Sequence, residues 1–233
     1  MIPTNPEEIF TKALSENRKH LSLLESFRIL EHYGLPLARY IYVPAGAEIK
    51  SIGNLSFPVV LKVDSPDIVH KTEFGAVKAN IESLDELKAA AKLMRQRIME
   101  KDPRARISGY IVQEQVSNAH EVIIGGLNDE QFGPVIAFGL GGILVEVLKD
   151  VVFDIAPITP EQAQELIRKI KGYQVLEGYR GLPRANTKLL SEVLSRASQM
   201  FAENSSYIKE MDLNPTFISS EWVKIADARF TLI

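Results

Sequence analysis

The segment Phe57–Ile81, FPVVLKVDSPDIVHKTEFGAVKANI, limits what this sequence can fold into more than any other stretch. Pro58–Val63 is apolar enough for a central strand yet holds one cation, Lys62. A Ser65-Pro66 turn follows, then His70-Lys71, and Gly75-Ala76 opens a second extended run that ends at Ile81. The second run is expected to pair beside the first. Elsewhere, helices sit among strands in an irregular order rather than in strict β-α-β alternation. The order therefore argues for the α+β class and against a Rossmann unit.

Around this segment, Pro6 to Tyr33 reads as helix, with Leu14, Leu21, Leu24, Phe27, Ile29 and Leu30 as its apolar stripe and Gly34-Leu35-Pro36 as its stop. Ala38–Val43 alternates like a short strand. Ser83-Leu84-Asp85-Glu86 reads as a capping box that opens a helix to about Lys101. Strands are expected at Ile107–Val116, Glu121–Leu127, Pro134–Phe138 and Ile143–Ala156. Thr159-Pro160 caps a helix over Glu161–Lys171, and another helix starts near Asn186. Strands at about Ile208–Leu213 and Trp222–Leu232 close the sequence.

Composition narrows the function classes. The 233 residues hold 27 Lys+Arg against 30 Asp+Glu, which lacks the basic excess that nucleic-acid binding needs. The absence of cysteine excludes a disulfide scaffold, a thiol nucleophile and a zinc–cysteine site. The N-terminal MIPTNPEEIFTKAL is too polar for a signal peptide and no apolar run reaches about 18 residues, so the expectation is a soluble cytoplasmic protein.

The candidate chemistry sits at strand ends. A lysine at the end of a buried strand reaches nucleotide phosphates, and a histidine on the next loop, His70, can accept a phosphoryl group on nitrogen. Ser65 is placed to cap the turn that Pro66 starts, aiming backbone N–H groups toward an anion. Glu73 and Asp212 are both candidates to fix the His70 tautomer. His20, His32 and His120 have no such setting. Asp212 and Asn214 share one face of a strand by period two, and a hairpin brings Asp227 opposite Asn214; such oxygen ligands suit Mg²⁺ held together with nucleotide phosphates. Glu114-Gln115-Val116 ends a strand where a short crossover presents backbone groups to an adenine edge, with a carboxylate near the ribose. Phe138-Gly139-Leu140-Gly141-Gly142 is not GxGxxG and there is no GxxxxGK[ST], so a glycine turn between buried strands is the plainer reading of it.

PVVLKVDSPDIVHKTEFGAVKANI, EVIIGGLNDEQFGPVIAFGLGGILVEVLKDV, Ala156-Pro157-Ile158-Thr159, Gly178-Tyr179-Arg180-Gly181, and MDLNP with IADAR occur in that order. With these marks the sequence, from about Leu21 to Leu232, resembles the β subunits of archaeal ADP-forming acetyl-CoA synthetases. Those are NDP-forming acyl-CoA synthetases with an ATP-grasp fold, related to the succinyl-CoA synthetases. The resemblance implies residues 1–20 as a helical extension and 21–233 as an ATP-grasp domain of two α+β subdomains with nucleotide between them. The smaller, lid-like subdomain would span about 38–112, and the main one 21–37 and 113–233.

It also implies an acid–thiol ligase subunit that takes part in converting acyl-CoA, ADP and phosphate to carboxylate, ATP and CoA. A separate α subunit, in an α2β2 assembly, would bind CoA, form the acyl phosphate and carry a first phosphohistidine; phosphate would then pass to His70 and on to ADP. By motif position Lys62 falls on the nucleotide-phosphate lysine, Gly75 on the loop glycine, Glu114 and Val116 on the adenine hinge, and Glu121 on the ribose acid. Asp212 falls on the catalytic carboxylate, and Asn214 and Asp227 on the Mg²⁺ ligands. Two positions depart from the family: Ala76 stands where a second glycine is usual, and Asp154 where an arginine is usual. Competing readings are a non-catalytic nucleotide-sensing ATP-grasp module, which the intact His70, Asp212, Asn214 and Asp227 argue against, and a carboxylate–amine ligase, which leaves His70 without a task.

Overall fold

Two local signals between Ser15 and Glu25 break the long N-terminal helix expected above. In the computed structural model, which describes residues 5–68, 71, 73–142, 150–179, 181 and 183–233, helix α1 spans Pro6–Ser15 and α2 spans Leu23–His32. Asn17 takes a left-handed φ of 53°, and Arg18 N–H donates to Ala13 O while Asn17 N–H donates to Leu14 O. That is a Schellman ending with asparagine in the glycine position. Ser22 then restarts the helix: its Oγ accepts the Glu25 N–H, and the Glu25 carboxylate accepts the Ser22 N–H at 2.9 Å, a reciprocal capping box. The residues divide into two units. The smaller holds Ser22–Glu25 and Ala38–Val116; the larger holds Met1–Leu21, Ser26–Leu37 and Ser117–Ile233.

The smaller unit is a four-stranded antiparallel sheet in the order β1-β4-β2-β3, with β1 Tyr40–Pro44, β2 Val59–Asp64, β3 Val77–Ile81 and β4 Gly109–Glu114. Helix α3, Leu84–Lys101, packs Leu87, Ala90, Ala91, Met94 and Ile98 against Val59, Leu61, Val63 and Ile81. Burial of a leucine, isoleucine, valine or methionine side chain contributes about 1.5–3 kcal/mol, so this one-sided core supports the sheet. Ser83 caps α3 by accepting the Glu86 N–H, as expected. The return half of the box does not form: the Glu86 carboxylate accepts from Glu82 N–H at 3.0 Å instead. Asp64, at the end of β2, accepts the Leu24 N–H at 2.9 Å and so caps the first turn of α2 from a strand.

The larger unit is a six-stranded antiparallel sheet in which β10-β8-β5-β6-β7 are neighbours and β9 pairs with β8. Its strands are β5 His120–Asp129, β6 Gly133–Leu140, β7 Val151–Ile155, β8 Ile208–Ile218, β9 Val223–Ile225 and β10 Arg229–Leu232. The β7 run expected from Ile143 lies outside the described residues up to Lys149. The alternation of β5 sends Val122 and Ile124 into the core and Glu121, Ile123 and Leu127 to the other face. Helices α4 Pro160–Arg168, α5 Tyr173–Leu176 and α6 Thr187–Glu203 follow β7. Thr159 and Gln162 cap α4 reciprocally, and Asn186 caps α6. Phe201 of α6 lies against Gly126 of β5, and Phe10, Phe27, Phe138 and Phe230 are fully buried in the same unit. No helix among the described residues is long and apolar enough to cross a membrane.

Candidate active site

In the smaller unit the candidate residues come from β2, the loop after it and the end of β4. Lys62 is opposite Val77 of β3 and Ile111 of β4, and only 5% exposed. Since Leu61 and Val63 enter the core against α3, Lys62 projects from the opposite face of the sheet by period two. The Ser65 turn forms, but its Oγ accepts the Asp67 N–H at 3.1 Å, so that N–H is satisfied internally rather than aimed at an anion. Asp67 in turn accepts from Arg106 three times, through N–H, Nε and Nη2, at 2.7–2.9 Å. The turn before His70 is thereby tied to the approach to β4. His70 itself lies outside the described residues. Glu73 is exposed, and its main-chain carbonyl accepts from Lys101 Nζ at 2.7 Å.

Gly75 has a φ of +65° and open space where a Cβ would stand. The departure at Ala76 has a physical reason: its methyl is fully buried in the α3 core. Its N–H and carbonyl bond Lys71 O and Val63 N–H. A second glycine would empty a core position there.

At the end of β4, Glu114 is fixed by Arg39. One carboxylate oxygen accepts Arg39 N–H at 2.8 Å, the other accepts Nε at 2.9 Å, and Glu114 N–H donates to Arg39 O. Val116 closes this unit two residues later.

In the larger unit, Glu121, Asp212 and Asn214 occupy one part of the sheet face that the helices do not cover. Glu121 accepts Gly142 N–H at 3.1 Å, and Gly141 N–H donates to Glu121 O at 2.7 Å. A Cβ on Gly141 would stand 2.5 Å from Glu121 Cγ, so glycine there lets the backbone lie on the glutamate. Asp212 is half-buried, opposite Gly125 of β5 and Arg229 of β10, and accepts Arg229 Nη2 at 3.3 Å. The pairs Thr216↔Ile225 and Arg229↔Asp212 keep one register on both sides of residues 226–228, which sets Asn214 opposite Asp227. Ala226 N–H to Pro215 O at 2.9 Å holds that gap closed. Both side chains are half-buried oxygen donors, fit for a hard cation that shares its shell with phosphate oxygens. Among the described residues no three His, Asp or Glu gather into a metal cluster of their own.

Asp154 is opposite Ile136, whose side chain is in the core, so it belongs to the helix-covered side, away from the face of Glu121 and Asp212. Arg39, Arg106 and Arg229 were not singled out from the sequence. Only Arg229 left a signal there, two residues after Asp227 in IADAR and so on its side of an extended segment. Arg180 of the Gly178–Gly181 mark lies outside the described residues.

A family model described as the ATP-grasp domain matches residues 12–232. The protein is 40% identical over 226 residues to the ADP-forming acetate–CoA ligase I subunit beta of Pyrococcus furiosus, covering 97% of each. It is 39% identical over 227 residues to the ADP-forming acetate–CoA ligase I of Archaeoglobus fulgidus, of which it spans 33%. Among solved structures, acetyl-coenzyme A synthetase 1 of Ca. Korarchaeum cryptofilum in complex with coenzyme A and Ca-AMPCP superposes with a TM-score of 0.90 at 35% identity, over 98% of this protein and 100% of that one. Another structure of that enzyme, with Mg-AMPPCP and its phosphohistidine segment pointing towards the nucleotide binding site, gives 0.81 at 34% identity, with the same shares covered.

Proposed function

The chain belongs to the ATP-grasp family, among the β subunits of ADP-forming acetate–CoA ligases, and from that premise we propose that it is the nucleotide-handling subunit of such an enzyme. The observation that carries the reading is its match over nearly the whole P. furiosus subunit, joined to an Asp212–Asn214–Asp227 cluster held in register by β8, β9 and β10. A CoA-binding α subunit completes the enzyme, in an α2β2 assembly working in the cytoplasm. Support for a partner comes from the A. fulgidus relative, of which this protein spans only a third.

In this reading an imidazole nitrogen of His70 attacks a phosphoryl group brought by the partner; the P–N bond forms as the bond to the donor breaks. The β-phosphate oxygen of ADP then attacks the same phosphorus, the P–N bond breaks, and ATP leaves. Asp212 stabilises the imidazolium character at His70, and the Arg229 guanidinium keeps Asp212 oriented. Lys62 binds the phosphates, Gly75 lets the loop backbone approach them, Glu114 and Val116 border the adenine, and Glu121 faces the ribose. Asn214 and Asp227 would hold Mg²⁺, which supplies charge neutralisation between the phosphate oxygens when bound.

The test is direct. Incubation with γ-labelled ATP and Mg²⁺ should label the protein in an acid-labile, alkali-stable form. His70→Ala should lose both that label and ATP synthesis with the α subunit, while its ADP affinity stays within about twofold of the parent. Full synthesis by the His70→Ala enzyme would remove His70 from the relay.

A further inference from the structure

The backbone at the end of β4 and just beyond it is held from both flanks by side chains. On the β1 flank, Arg39 N–H bonds the Glu114 carboxylate, as described above. On the β2 flank, Gln115 N–H reaches Pro58 O at only 3.4 Å, and proline has no N–H to return. Ladder support thus runs out at Gln115, and its side chain takes over.

Gln115 Oε1 accepts Asn80 N–H at 2.7 Å, and Gln115 Nε2 donates to Asn80 Oδ1. The first bond fixes which end of the amide is oxygen, since a backbone N–H can only donate, and the second bond then has the right polarity. Asn80 reaches this position from a bulge: the β2–β3 register shifts between Val59 and Leu61, and Asn80 has a φ of +56°. Asparagine is the non-glycine residue that best tolerates that backbone, and a glycine would tolerate it without supplying the acceptor. The bulge therefore spends backbone strain to turn one residue's N–H and Oδ1 together onto Gln115.

We infer that Asn80 and Gln115 form a clamp that positions the base-reading backbone at Glu114–Val116 and thereby sets the preference for adenine over a 6-oxopurine. They are positioning residues: neither is placed on the nucleotide. The inference rests on the reading of Glu114–Val116 as the adenine segment. Adenine offers a 6-amino donor beside the N1 acceptor; hypoxanthine offers a 6-oxo acceptor beside an N1–H donor. A backbone carbonyl and N–H held at fixed spacing accept the first pattern and repel the second. With the clamp released, the segment can shift until it meets either base, so affinity for the right base falls and discrimination falls with it.

The experiment is calorimetric binding of ADP and of inosine diphosphate, each with Mg²⁺, to the full-length protein and to Asn80→Gly, Asn80→Asp and Gln115→Ala. The parent should bind ADP the more tightly. Asn80→Gly keeps the left-handed backbone and removes only the acceptor; like Gln115→Ala it should weaken ADP about tenfold, the worth of one well-placed hydrogen bond. Both should leave inosine diphosphate nearly unchanged. Asn80→Asp, which retains both the acceptor and the backbone tolerance, should bind like the parent. A parent that does not distinguish the two nucleotides overturns the adenine reading of the segment. If the parent discriminates but the variants keep its ADP affinity, or lose both nucleotides equally, the clamp as a specificity device is wrong and the base reading survives.

Discussion

Asp64 shows how one residue joins segments that are distant in sequence. It is fully buried and caps Leu24, 40 residues upstream. Burial raises its carboxyl above the ordinary range, and the Leu24 N–H and the Ser22 hydroxyl only partly oppose this; the Glu25 charge raises it further. Burial, helped by the Asp64 charge, likewise pushes the Tyr42 hydroxyl up to about 12. Because the folded state holds the Asp64 proton more tightly than the unfolded state does, this group favours folding at low pH. That contribution is lost as pH rises through the folded value. Asp64→Asn keeps an acceptor for Leu24 and removes the charge. It should therefore be more stable than the parent at neutral pH, by a margin that closes on acidification toward the unfolded carboxylate range. Urea midpoints at several pH values measure this, and a margin independent of pH would contradict it. Little of the cluster was legible in the sequence. The strand that carries Lys62 was legible as an apolar run, but the partner of Asp64 is a backbone N–H, and no residue type advertises one.

At the scale of elements, local chemistry was readable wherever it was short-range. Thr159-Pro160 and Asn186 gave the starts of α4 and α6, and the apolar run Glu121–Leu127 gave the place of β5. The N-terminal helix was misjudged because an apolar stripe continued across Asn17, where an asparagine did the work expected of glycine. The bulge at Asn80 was hidden because its cause, the side chain of Gln115, lies in another strand. The packing of β5 on α6 was hidden for the same reason, since Gly126 reads in sequence only as a weak point in a strand. A Cβ at Gly126 would stand 2.9 Å from the Phe201 ring. Gly126→Ala should cost about 1–3 kcal/mol by overpacking. Adding Phe201→Leu should recover part of that, and a double-mutant cycle by chemical denaturation would show the coupling. Additive effects would mean that the ring moves aside freely.

At the scale of the whole molecule, Lys62, Gly75, Glu114 and Val116 belong to one unit and Glu121, Asp212, Asn214 and Asp227 to the other. The ordered marks of a familiar family made that set legible, whereas spacing alone gave only the Asp212–Asn214 face and its hairpin partner. The proposed metal site makes a prediction for the entire protein. At 100 times its dissociation constant, Mg²⁺-ADP should raise stability by about 2.7 kcal/mol. Chelating the metal, or making Asn214→Ala with Asp227→Ala, should remove the metal-dependent part of the thermal shift. A shift insensitive to both would exclude these two residues as ligands. The division into units also bears on portability. Residues 38–116 look like a cassette that could be cut out and its flanks rejoined, or grafted into a foreign scaffold. Yet Ser22–Glu25 are counted with that unit, and the Leu24 N–H is capped by Asp64. Excision would leave α2 without its Asp64 cap, and a graft would carry a buried carboxylate with no helix start to receive it. The smaller unit is portable only together with the helix start at Ser22–Glu25, which the sequence supplies well before Ala38 begins the cassette.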